Sequence, residues 1–160
     1  MGGSNSKANV PPINPVAAGK TRICIAGFTA SSYTGLAHRL SGLIGALYSE
    51  NYETWYYWDS QERYYIFLKD KFDPVPFPPH LKGHSSSPFV WLEHGETNSI
   101  ELIGGATAFQ AWVLQQPDLA LNNHIKSVAS GKWKFSDIFH TGNTWAKSTA
   151  NIRTPVRREE

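Results

Sequence analysis

The run Arg22 to Phe28 (Arg-Ile-Cys-Ile-Ala-Gly-Phe) limits the fold more than any other stretch of this chain. Ile23, Cys24, Ile25 and Ala26 are apolar without alternation, so a strand there must be covered on both faces. The next segment supplies one cover. From Tyr33 to Ser49, the residues Leu36, Leu40, Leu43, Ile44 and Leu47 fall on one helical stripe, and Ser31 or Ser32 stands where a helix is capped. Tyr52 to Trp58 (Tyr-Glu-Thr-Trp-Tyr-Tyr-Trp) is aromatic and reads as a second strand. A strand, a crossover helix and a strand imply a parallel pair.

The spacing predicts a further helix over Ser60 to Lys71, with Asp59 or Ser60 as its cap and Glu62 near its positive end. Five prolines between 74 and 88 force an extended connection. Pro88 to Glu93 and Ser99 to Ile103 then form a hairpin around His94-Gly95-Glu96-Thr97-Asn98. Gly104-Gly105 breaks it, and Ala106 to Gln116 is helical until Pro117. The fold class is α/β with α+β character: β-α-β-α-β-β-α, a four-stranded mixed sheet with helices on both faces. Around this domain, residues 21–130, lie an N-terminal arm, 1–20, rich in Gly, Ser, Asn and Pro, and a tail, 131–160. Gly19-Lys20-Thr21 matches the end of a phosphate-binding loop, but Asn14 stands where that motif needs Gly.

Three local motifs in this order resemble the thioredoxin fold, and glutaredoxins in particular. Glutaredoxins carry Cys-Pro-Tyr-Cys at the first helix. Here Ser31-Ser32-Tyr33-Thr34 keeps the Tyr, and Ala37 and Leu40 match the helix that follows. Ser87-Pro88 before Phe-Val-Trp-Leu fits the family's cis-proline at the third strand, and Ile103-Gly104-Gly105 fits its Gly-Gly before the last helix. The resemblance covers residues 21–117. It implies a glutathione site around Pro88, Gly104, Gly105 and Thr107, the last being the one side-chain donor in Ala106-Thr107-Ala108.

The departures bear on chemistry. Thiol–disulfide exchange needs a thiolate of lowered pKa at the first motif position. Ser31 stands there, Thr34 replaces the resolving cysteine, and the one cysteine of the chain, Cys24, lies inside the first strand. A free cysteine between Ile23 and Ile25 behaves as a small buried hydrophobe. No base and acid pattern activates Ser31, although His38 follows on the same helix. His80 and His84 have a metal-like spacing without further ligands around them. These residues assign no catalytic group, no cofactor and no metal. The enzyme alternative is a glutathione-binding glutaredoxin or transferase relative using Tyr33 and Thr34.

Charge and the chain ends point to binding instead. Residues 31–112 hold five basic and nine acidic side chains, while 1–30 and 113–160 each carry +3. Two basic ends on an acidic body suit an acidic surface, or are ordinary solvated tails. Met1-Gly2-Gly3-Ser4-Asn5-Ser6-Lys7 fits the N-myristoylation pattern at Gly2, which implies a membrane contact; one acyl chain gives only marginal anchoring. There is no secretory apolar region and no run of membrane-spanning length, so an intracellular, cytoplasmic location is expected. In the tail, Trp133, Phe135, Phe139 and Trp145 are scattered among polar residues, followed by Arg153 and Arg157. Isolated aromatics of this kind dock by insertion into a partner's pockets. The expected role is a redox-inactive adaptor or structural subunit of a larger protein assembly, held through that tail. Cytoskeletal and ciliary assemblies are hosts of this kind by analogy. Nucleic acid is disfavoured, because +3 over 48 residues is a weak electrostatic footprint.

Overall fold

A computed structural model describes residues 15–28, 31–72 and 87–131. Four strands, β1 (Thr21–Gly27), β2 (Tyr52–Trp58), β3 (Phe89–His94) and β4 (Ser99–Gly104), form one mixed sheet in the order β2-β1-β3-β4. β1 runs parallel to β2 and antiparallel to β3, and β3 is antiparallel to β4. The uninterrupted apolar run is thus central, and every residue from Arg22 to Gly27 is buried.

The register sorts the side chains onto two faces. Cys24 lies between Trp55 and Trp91, and Ala26 between Tyr57 and Phe89. Helix α2 (Gln61–Phe72) covers this aromatic face. Phe67 stacks on Tyr57 with ring centroids 4.1 Å apart, and Phe72 meets Trp91 edge-on at 5.0 Å. The opposite face is covered by α1 (Ser32–Leu47), through Leu36, Ala37, Leu40 and Ile44, and by α3 (Ala106–Leu114), through Phe109 and Val113. Ser41 shares a hydrogen bond of 2.9 Å with the hydroxyl of Tyr56, and His38 packs edge-on against the Tyr56 and Trp58 rings.

Past Pro117 the chain keeps folding, where the sequence reading stops at one last helix. Two short helices follow, α4 (Pro117–Ala120) and α5 (Asn123–Ala129). Pro117 opens α4 in its first turn, where a proline costs no hydrogen bond. The Asn122 side chain accepts hydrogen bonds from the backbone N–H groups of His124 and Ile125 at 3.0 Å each, capping α5. α5 packs against both α1 and α3, burying Ile125 and Val128.

Residues 15–20 are fastened to the β3–β4 hairpin. Gly95 donates its backbone N–H to the Lys20 carbonyl at 2.9 Å, and a Cβ at Gly95 would run into the carbonyl oxygen of Ala17. Among the described residues, no helix is long and apolar enough to cross a membrane.

Candidate functional site

β1 and β2 both end where α1 and α2 begin, so one end of the sheet collects two helix starts and the residues before β3. Ser31 takes the N-cap position of α1 with extended backbone, but its side chain makes no cap hydrogen bond. Its hydroxyl instead donates to the carbonyl of Ser87 at 3.1 Å. Thr34 is fully buried one turn into α1, and its hydroxyl lies 2.6 Å from that of Ser87. The Ser87 hydroxyl also accepts the backbone N–H of Phe28 at 3.0 Å. The Ser87–Pro88 peptide is cis.

Ser87 is therefore the hub that ties the start of α1 to the segment ahead of β3. Gly27 makes room for it: a Cβ there would stand 2.5 Å from the Ser87 hydroxyl and 3.0 Å from that of Thr34. Local sequence gives no signal for this hub, because its partners are 53 to 59 residues away. At the start of α2, Ser60 accepts the Arg63 N–H at 3.3 Å, and the Asp59 carboxylate takes the Ser60 N–H, the Tyr57 hydroxyl and the Arg63 guanidinium.

The other residues singled out by the sequence divide. Val90 pairs with Gly104 across β3 and β4, so Gly104 and Gly105 stand beside the start of β3, near Pro88. Gly104 has a positive φ of 126°, and Gly105 is the N-cap of α3. Tyr33, at 55% exposure, and Thr107 point to solvent, and Ser32 is half-buried. Gly2, His80, His84, Trp133, Phe135, Phe139, Trp145, Arg153 and Arg157 lie outside the described residues. Among the described residues, no three His, Cys, Asp or Glu side chains are grouped to hold a metal ion.

Cys24 is fully buried in β1. Burial, first, and the nearby Glu93 carboxylate push its thiol well above the ordinary value, so the nucleophilic thiolate is disfavoured in the folded chain. On the same face sits a buried ion cluster that the sequence does not announce. Arg22, read from the sequence as part of a basic end, is only 6% exposed. It binds Glu53 at 2.7 Å and Glu93 at 3.1 Å; Glu93 also takes the Trp91 indole N–H at 3.0 Å and lies 3.7 Å from the Lys71 amine. Arg22 therefore adds little to any basic surface.

The chain matches no model of a known protein family and no curated protein.

Proposed function

We propose that this chain is a thioredoxin-fold module of the glutaredoxin type whose redox chemistry has been replaced by a structural latch, and that it serves as a binding subunit of a larger protein assembly. The sheet order β2-β1-β3-β4 with one parallel pair, helices on both faces and Pro88 ahead of β3 support the fold assignment. The observation that carries the functional reading is the hydroxyl network at the start of α1. Where thiol chemistry needs an exposed low-pKa sulfur, Ser31 and Thr34 are spent on Ser87, and the sole cysteine is sealed in β1 with its thiol held neutral. A hydroxyl cannot carry the exchange reaction, so binding is the role left to the scaffold.

The binding element in this reading is the segment after Gly131, through Trp133, Phe135, Phe139, Trp145, Arg153 and Arg157. Large aromatics and arginines are the residue types that dominate interface energies. The test is affinity capture from a native lysate with mass spectrometry. The tagged full chain is compared with the full chain carrying Trp133→Ala, Phe139→Ala and Trp145→Ala. A defined partner set lost with the three substitutions supports the reading. The same set retained by both forms refutes docking through the tail. Specific retention on glutathione resin, abolished by a Tyr33 substitution, refutes the binding-subunit reading and favours the enzyme alternative.

A further inference from the structure

The outer edge of β2 can be read from the two ends of its ladder with β1. Thr21 donates its backbone N–H to the Asn51 carbonyl at 2.9 Å, and Asp59 donates its own to the Gly27 carbonyl at 3.2 Å. In a parallel pair, each strand turns alternate residues toward a given neighbour. Thr21 is level with Tyr52 and Gly27 with Trp58, so the β2 residues whose backbone faces β1 are Glu53, Trp55 and Tyr57. Thr54 and Tyr56 therefore aim both N–H and C=O away from β1, over the edge. β2 ends the sheet on this side, and among the described residues no other backbone group bonds those of Thr54 or Tyr56.

Both faces of this strand are closed. The Tyr56 side chain is held by Ser41 and His38 of α1, and Trp55 and Tyr57 stack on Phe67 of α2. What β2 offers outward is thus main chain, and a main-chain edge is completed by another strand. Edges that stay single are usually blunted by proline, lysine or a bulge. Tyr52–Trp58 contains no Pro, Gly, Lys or Arg, and its register with β1 is unbroken over seven residues. The other edge strand, β4, differs: its register with β3 breaks between Val90 and Trp91.

We propose that β2 pairs antiparallel with β2 of a second copy of this chain, about a two-fold axis at Trp55, joining two four-stranded sheets into one. The strand's own sequence selects this occupant and register. Thr54 of each copy stands opposite Tyr56 of the other, and each such pair exchanges both backbone bonds, so every outward group of the two residues is satisfied. Trp55 faces Trp55 in the closely spaced position between them, where aromatic pairs are favoured. Glu53 faces Tyr57 of the other copy, so no two carboxylates are opposed. The two-fold axis keeps the α1 helices on one face of the joint sheet and the α2 helices on the other. This pairing is independent of the tail contact and gives each particle two tails.

The experiment measures the mass of the full chain by sedimentation equilibrium from about 1 to 200 µM, with residue-resolved amide hydrogen exchange at both ends of that range. The mass should double, and exchange at Thr54 and Tyr56 should slow by at least about ten-fold as it does. Thr54→Pro removes an N–H that β1 does not use, at an edge position where proline is tolerated. It deletes two of the four bonds between copies and should raise the dimer dissociation constant by at least about ten-fold. The exchange measurement needs no variant, so it decides the matter even where Thr54→Pro harms the fold. A chain that stays monomeric to the highest concentration overturns the proposal. So does a dimer in which exchange at Thr54 and Tyr56 is indifferent to concentration, since another surface then joins the copies. Protection of both amides in the monomer overturns it in favour of a strand supplied by the chain's own tail.

Discussion

Arg22→Met removes the cation that bridges Glu53 and Glu93 inside the sheet. In the native chain Arg22 holds Glu53 at 2.7 Å and Glu93 at 3.1 Å. The Glu93 side chain is 14% exposed and that of Glu53 33%. Deleting one member of a buried ion pair costs about 3–5 kcal/mol when the survivor is left uncompensated. Two facts lower that figure here. Glu53 reaches water, and Glu93 keeps the Trp91 N–H at 3.0 Å and Lys71 at 3.7 Å. The expected loss is therefore about 2–3 kcal/mol, below the full range. With a urea dependence of about 2 kcal/mol per M, the unfolding midpoint should fall by roughly 1–1.5 M. Tryptophan fluorescence is a suitable signal, because Trp55 and Trp91 flank the cluster on the neighbouring strands. Charge, and not the lost volume of the side chain, is the cause, so Glu93→Gln in the same chain should restore at least about 1 kcal/mol. A midpoint shift under about 0.3 M for Arg22→Met refutes the reasoning, and so does a double variant less stable than Arg22→Met alone.

Two other perturbations act on features of the latch and the core. Gly27→Ala puts a Cβ 2.5 Å from the Ser87 hydroxyl and should cost about 1–3 kcal/mol by overpacking; Ser87→Ala in the same chain should recover part of it, and an unchanged urea midpoint refutes the close approach. Cys24, Tyr56 and Tyr64 all have pKa values raised by burial, so the folded chain keeps them protonated longer than the unfolded chain does. Their contribution to stability is complete below the unfolded values, about 8.5 for Cys and about 10 for Tyr, and fades as the pH rises through the folded ones. Urea midpoints should thus decline above about pH 9, and Cys24→Ala should flatten the decline between about pH 8.5 and 10; a parent midpoint constant to pH 10.5 contradicts the assignment.

What the residue order made legible follows from the range of each signal. β1 is readable because four consecutive apolar residues need two covers, and α1 because its leucines repeat over three turns; both signals lie within a few residues of one another. Register is the first quantity that lies beyond this range. Arg22 reads as a surface charge until Glu53 and Glu93 are placed on either side of it, and those partners come from two different strands. α4 and α5 escaped for a different reason: segments of four and seven residues, burying Leu119 in one and Ile125, Val128 and Ala129 in the other, are too short to repeat a helical period, and only Pro117 and Asn122 mark the starts. Ser87 combines both difficulties. A serine before a proline is unremarkable locally, yet it receives hydrogen bonds from Phe28 and Ser31 and shares one with Thr34. The family motif drew attention to positions 31 and 34 as places where thiols are lacking. The fold gives those hydroxyls a use that the motif does not express, because the residue they meet lies more than fifty residues further along the chain. The same holds at the opposite end, where Tyr48 and Tyr52 are close in sequence but meet the Asp118 carbonyl and the Trp112 ring only once α3 and α4 are in place. Sites on this chain are thus made by pairing distant short segments across a sheet whose strands are individually easy to read, so the strands are the better guide to its architecture and the cross-strand partners the better guide to its function.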